Sequence, residues 1–389
     1  MNIPFLQAGF RPLFLAAGAW SALAVAIWLA TLAGVMDIPS ALDPMTWHAH
    51  EMMFGFALAA VGGFLLTAIP NWTGREPVSG WPLGLLALAW LAGRMAMFFS
   101  AHMGPAATAI IDLAYPVALT AIAAREIIAG GNRRNLPVAG FVALLTLCNM
   151  LVHAESLGWM ESASLGIRLS IATLALLLSV IGGRVIPAFT RNWLKSRDDG
   201  SDLPAEFGAF DKLIILLTAI AGPVWAAFPD RAETGWLALA CGLAHGVRLL
   251  RWRGDRSLSA PLLWVLHLGY LWLAVGFVLI ALAQLVPAIA ASAALHALTG
   301  GAFGTMILAV MTRASLGHAG RDLIAGPGTT ACYVLVTLAV LLRVAAPFFT
   351  AATEFLFAAA LFWIAGYGLF TALYLPIFLK RSVEGSVAP

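Results

Sequence analysis

Long apolar stretches alternate with short polar punctuation along the whole chain. The apolar segments are 12–34, 47–70, 81–100, 105–128, 137–157, 163–187, 210–229, 233–250, 261–284, 291–313, 328–350 and 353–379. Runs of about 18 or more apolar residues match the hydrocarbon thickness of a bilayer as helices. Lipid offers no partner to backbone N–H and C=O groups, so such runs satisfy them internally. The pattern predicts an all-α integral membrane protein of about 12 transmembrane helices, a single polytopic membrane domain over 1–389. The punctuators are rich in Gly, Pro, Asp and Arg, and 188–209 reads as the longest polar loop. Pro116, Pro223 and Pro287 lie within or beside segments, where they kink or end helices.

Charge adds orientation. Connections after even-numbered segments carry Arg75, then Arg133 and Arg134, then Arg191, Lys195 and Arg197, then Arg251, Arg253 and Arg256, then Arg321; Lys380 and Arg381 follow the last segment. The connections near 35–46, 101–104, 158–162 and 285–290 hold no Lys or Arg, and only Arg231 breaks the asymmetry. Lys and Arg are retained on the cytoplasmic side. Both termini are therefore expected inside (N-in/C-in), in the inner, cytoplasmic membrane. Trp72, Trp81, Trp193 and Trp252 stand at segment ends, where an interfacial aromatic belt falls. Residues 1–20 have no charge before Arg11 and read as a retained first helix, not a cleaved signal.

A faint repeat accompanies the pattern. Segments 2, 6 and 10 end "TAIPNWTGR", "RVIPAFTRN" and "LAVMTRASLG", after or around Gly62-Gly63, Gly182-Gly183 and Gly300-Gly301. The spacing of about 120 residues suggests three four-helix units, 1–135, 136–257 and 258–389. The competing explanation is that apolar helices with Gly-Gly look alike by chance; paired small residues also let membrane helices pack closely.

Composition narrows the function classes. Hydrophobic residues make up 61% of the chain and charged residues 11%, and the mean hydropathy is +0.90. A soluble domain of this size needs more charge on its surface. The net charge of +3 follows from topology, and no basic patch is interleaved with aromatics, so nucleic acid is not an expected partner. Cys148, Cys241 and Cys332 stand singly, which argues against a disulfide framework or thiolate zinc site. There is no Ser-His-Asp pattern or phosphate-binding loop.

The candidate chemistry lies in polar side chains that lipid penalises. His48, His50, His153, Glu155 and His296 fall near the outer ends of their segments, with Arg94, Arg168, Arg343 and Asp112 in the same leaflet. Helical residues two apart point about 200° apart, so within a helix His48 and His50 serve two sides, or one binds a metal while the other makes hydrogen bonds; a helix that begins only at Glu51 lifts the constraint. Glu51 can accept from an imidazole N–H and fix its tautomer. His245 and His267 lie towards the cytoplasm as possible neighbours, and His318 is placed in a loop. Each isolated histidine is read either as a ligand or as a hydrogen-bonded structural group. Arg94, Arg168 and Arg343 suit anionic groups such as haem propionates, or else a structural pair with Asp112.

Four stretches carry a family resemblance: "WHAHEMMFGFALAAVGGFLLTAIPNWTG" at 47–74, "GGRVIPAFTRNWL" at 182–194, "PLLWVLHLGYLW" at 261–272 and "HALTGGAFGTMILAVMTRASLGHAGR" at 296–321. The chain closely resembles the NnrS family. That resemblance implies a polytopic bacterial membrane protein carrying haem and copper, acting in the response to nitric oxide and nitrosative stress. Its motifs fall here on His48, His50, His267, His296 and His318, with Glu51, Asn71, Arg184, Arg191 and Arg313 among them. His50 and His296 are the expected axial ligands of a b-type haem, and His48 is a candidate for copper or a second haem. His153, His245 and His267 are further cofactor or metal candidates, and Arg94, Arg168 and Arg343 are assigned to propionates. The expected partners are the bilayer and nitric oxide or a related small molecule. Turnover, sensing and metal movement stay open as activities, and so does whether the protein is an enzyme. A secondary transporter, or a metal- or haem-handling protein without redox chemistry, is the alternative class.

Overall fold

A computed structural model describes residues 3–197 and 202–381. Among these residues there is no strand, and twelve long helices follow the order of the apolar segments. They are α1 (Phe10–Leu32), α2 (Pro44–Thr73), α3 (Trp81–Phe98), α4 (Pro105–Ala129), α5 (Leu136–Ser156), α6 (Ala163–Lys195), α7 (Ala209–Ala227), α8 (Ala232–Leu250), α9 (Pro261–Leu285), α10 (Ala291–His318), α11 (Pro327–Ala345) and α12 (Ala352–Leu379). Eleven are long and apolar enough to cross a membrane. The twelfth, α8, has the length but carries Glu233, His245 and Arg248, which lower its hydropathy.

Two boundaries differ from expectation. Helix α6 continues to Lys195 with Pro187 inside it, so the polar connection begins later than residue 188. The stretch after Pro187 alternates apolar with Arg191, Asn192 and Lys195; it extends a helix already nucleated by the apolar run. Residues 198–201 of that connection lie outside the described residues. Helix α10 likewise runs through His318, which ends a helix instead of sitting in a loop. Pro116 and Pro223 lie inside α4 and α7, and α9 ends at Leu285, before Pro287.

The chain divides into two compact units. Unit 1 comprises Met1–Ser170, Met311–Leu323 and Tyr367–Pro389; unit 2 comprises Ile171–Val310 and Ile324–Gly366. In unit 1, α2 is the central helix, and 78% of its apolar window is buried. It accepts close neighbours because Gly62 and Gly63 face Tyr115 and Phe14 where a Cβ would stand. Arg11 of α1 is buried and donates to the carbonyls of Ile377 and Phe378, both at 3.0 Å, and of Lys380. These are the orphan acceptors at the end of α12, so one guanidinium ties the first helix to the last. In unit 2, α9 is the buried helix and packs along α8.

Candidate metal centre

Helix α2 begins on Asp43, whose carboxylate accepts from the amides of Met45 at 3.0 Å and Thr46 at 3.1 Å. Pro44 occupies the first helical position, where its missing N–H costs nothing. The helix is regular to His50 and then widens to π-helical hydrogen bonding over Glu51–Ala57. His48 turns to α1 and stacks on Trp28, 5.0 Å between centroids. His50 turns the other way, fully buried, towards α4 and α5. The two-residue spacing thus separates the imidazoles as helix geometry requires. π-Helical turns recur at functional sites, and here the wider turn carries Glu51 into the same pocket as His50.

Four helices supply the pocket. Glu51 Oε1 is 3.0 Å from His50 Nδ1. Arg94 of α3 donates through Nη1 to both Glu51 oxygens at 2.7 Å, and through Nη2 to Asp112 Oδ1 of α4. Asp112 Oδ2 accepts from Asn149 Nδ2 at 2.7 Å and His153 Nε2 at 2.9 Å, both on α5. His50 Nε2 stands 2.9 Å from Asn149 Oδ1 and 3.2 Å from Asp112 Oδ2. Gly93, beside Arg94, brings α3 against α4: a Cβ there would lie 3.0 Å from Asp112 Oδ1. Trp90 donates to the Gly55 carbonyl at 2.9 Å, and Tyr115 to that of Leu58 at 3.3 Å, closing the floor.

The pocket needs a second positive charge. Two buried carboxylates face one guanidinium, in surroundings where an uncompensated charge is expensive. Both nitrogens of His50 face oxygens, which suits a ring that donates twice or a ring and carboxylate sharing a cation. His50, Asp112 and His153 each offer one ligand atom, and these atoms lie within 4.8 Å of one another. Two imidazoles and a carboxylate form a donor set for a borderline transition metal such as copper, zinc or iron. Glu51 at Nδ1 then orients His50, whose Nε2 exchanges Asn149 Oδ1 for the ion, and Arg94 and the Asn149 amide orient Asp112, as hydrogen-bonded outer partners of metal ligands do.

The donor set fits a small ion. It does not fit a porphyrin at His50. An iron bound to Nε2 would have to displace Asn149 and Asp112, which stand within hydrogen-bond distance of that nitrogen, and the Phe54 ring lies 5.0 Å away.

Of the residues singled out in the sequence, His50, His153, Glu51 and Arg94 are brought together in unit 1. Arg94 is engaged by Glu51 and Asp112, the structural pair that the sequence offered beside the propionate reading. Arg168, half-buried on α6, belongs to unit 1 as well, and His318 packs on the Phe10 ring at 5.9 Å. His245, His267, His296 and Arg343 belong to unit 2. Two further residues belong to the pocket: Asp112, which the sequence offers only as an arginine partner, and Asn149, to which it gives no role. The spacing Asn149–His153 (i, i+4) puts both on one face of α5, and that signal was legible.

Unit 2 holds a second buried polar network. Arg248 donates through Nε to Asp211 Oδ1 at 2.8 Å, and through Nη1 to the Ser179 carbonyl at 2.8 Å and Tyr270 Oη at 3.0 Å. His245 Nδ1 is 2.8 Å from Tyr270 Oη, and its Nε2 is 2.9 Å from Thr218 Oγ1. Thr218 spends its own proton on the Ile214 carbonyl at 2.7 Å, so His245 donates from Nε2 and accepts at Nδ1. Both nitrogens have protein partners, and Asp211 faces two guanidiniums, Arg248 and, at 3.7 Å, Arg251. His267 has its own partner, Thr190 Oγ1 at 2.9 Å. His296 directs Nδ1 to the Ser292 carbonyl at 2.8 Å, just before a second π-helical stretch, Ala297–Gly304.

Fold and site together define a multi-pass helical membrane protein with a buried histidine–carboxylate cluster suited to a metal ion. The chain belongs to the NnrS family: the family described as NnrS protein matches residues 4–381, nearly its whole length. Membership supports a membrane protein of the nitric oxide response. No curated protein matches the chain.

Proposed function

We propose that this protein serves tolerance of nitric oxide and nitrosative stress in the bacterial inner membrane through a copper ion held by His50, His153 and Asp112. The observation that carries this reading is the convergence of these three buried ligand atoms within 4.8 Å. The two buried carboxylates facing one guanidinium support it, because a metal ion there supplies the second positive charge that a doubly protonated His50 would otherwise carry. Copper at such a centre supplies one-electron chemistry and affinity for a small diatomic. The protein's own part is to fix both imidazoles, hold Asp112 ionised against Arg94, and keep bulk water out. His48, stacked on Trp28, stands outside this ligand set.

A b-type haem is the second part of the reading, and His296 is the residue that favours it. Its Nδ1–H on a backbone carbonyl sets the tautomer that presents Nε2 to a metal, the usual arrangement for a metal-bound imidazole. Arg343, half-buried in the same unit, is retained as a propionate partner there, as is Arg168 in unit 1. The test is metal and pigment analysis of protein purified after copper- and haem-replete expression. One copper per chain, lost in His153→Ala and Asp112→Asn while haem is retained, supports the copper site. A colourless protein that takes up no copper overturns the reading and favours transport.

A further inference from the structure

The metal centre is sealed on nearly every side, yet His153 has a second neighbour besides Asp112. It lines a small cavity of about 20 Å³, with Leu42, Met97, Ser100, Thr108 and Ser156 among the other walls. A cavity needs about 10–15 Å³ of this measure to hold one water. The space therefore takes a single water-sized species and nothing larger. It lies where the connection before α2, the turn between α3 and α4, and the end of α5 meet, at the end of the helices whose connections lack Lys and Arg.

The walls are built for a polar or soft guest. Ser100 Oγ donates to the Met97 carbonyl at 3.0 Å and accepts from the Ala41 amide at 2.8 Å, clamping the connection over the cavity. Thr108 and Ser156 donate to the carbonyls of Gly104 and Val152, at 2.9 and 3.5 Å, which leaves their oxygen lone pairs available to a guest. Met97 is also among the walls; its thioether is a soft donor that favours monovalent copper, beside the borderline imidazole of His153.

We infer that this cavity is the entry port of the metal centre: a desolvated cuprous ion passes from the Lys- and Arg-poor face, past Met97, to His153. The port rests on the copper reading for its cargo, but its position can be tested without copper. In intact cells or outward-facing vesicles, Thr108→Cys and Ser156→Cys are blocked by silver ion, a thiol-seeking cation no larger than a water, at least ten-fold faster than Thr146→Cys. Thr146 is as buried as Thr108, stands earlier on α5 than Ser156, and is not among the cavity walls. Equal rates at all three positions overturn the port. In the second arm, Thr108→Trp or Ser156→Phe slows copper loading, and stripping by a membrane-impermeant chelator, by ten-fold or more. Unchanged rates in folded, copper-loaded protein also overturn it. Thiol reactivity at the port in a protein that never takes up copper leaves the port standing and removes the copper reading instead.

Discussion

His153 Nε2 and Asp112 Oδ2, 41 residues apart in the chain, stand 2.9 Å from each other in the interior of an apolar helical bundle. In lipid such a pair persists only where the remaining lone pairs and protons are also satisfied. Asn149, Arg94 and His50 do that for Asp112, and the contacts continue from Arg94 and His50 to Glu51.

Removing the guanidinium should be the most damaging single change in unit 1. Arg94→Met leaves Glu51 and Asp112 buried without their common cation, at a cost of about 3–5 kcal/mol. Adding Glu51→Gln to that variant should recover part of the loss. Thermal unfolding in detergent reads both; equal stability of the single and double variants would refute the charge argument.

Gly55 is a packing point of the same pocket. A Cβ there would meet Trp20 Nε1 at 2.7 Å and Arg94 Nη1 at 2.9 Å. Gly55→Ala is expected to cost about 1–3 kcal/mol by overpacking and to weaken metal retention by moving Arg94. Gly140→Ala, where a Cβ meets nothing within 4 Å, should be neutral or stabilise by a few tenths of a kcal/mol, because Ala is the better helix former.

In unit 2 the hydrogen bonds assign His245 a structural role. Tyr270→Phe removes the hydroxyl that links His245 to Arg248 and should cost about 1–3 kcal/mol, with copper content unchanged. Loss of copper in this variant would show that His245 is a ligand after all.

The cap of α2 gives a pH dependence outside the membrane. Partial burial pushes the Asp43 carboxyl up, but hydrogen bonds from Thr46 and Met45 outweigh it and hold the group below its ordinary value. A carboxyl lowered on folding contributes stability above its unfolded pKa and loses it as pH falls through the folded one. Asp43→Ala should therefore cost about 1 kcal/mol near neutrality. The difference from the parent should vanish as pH falls below the ordinary carboxylate range, as pH-dependent unfolding will show.

Topology is tested from outside. Cysteine introduced at Lys380 should react with an impermeant reagent only after the cytoplasmic face is opened, and Cys at Trp159 should react from outside. The reverse pattern would invert the membrane map and place the port on the other face.

Hydropathy alone determined that this chain is a multi-pass helical protein, because bilayer thickness sets helix length and lipid forbids an unpaired backbone. The same local physics separated His48 from His50 and marked Glu51 as an imidazole partner, since helix angles are short-range quantities. Side-chain type also showed that Arg94 needed an anion. Only the tertiary structure decided which carboxylates it met, that Asn149 and His153 closed on Asp112, and that His245 was spent on Tyr270 and Thr218. Those pairings join helices far apart in the sequence, and lipid gives apolar faces little preference among partners. Close approach at Gly93 and Gly55, and the π-helical turn after His50, set which polar side chains came within reach.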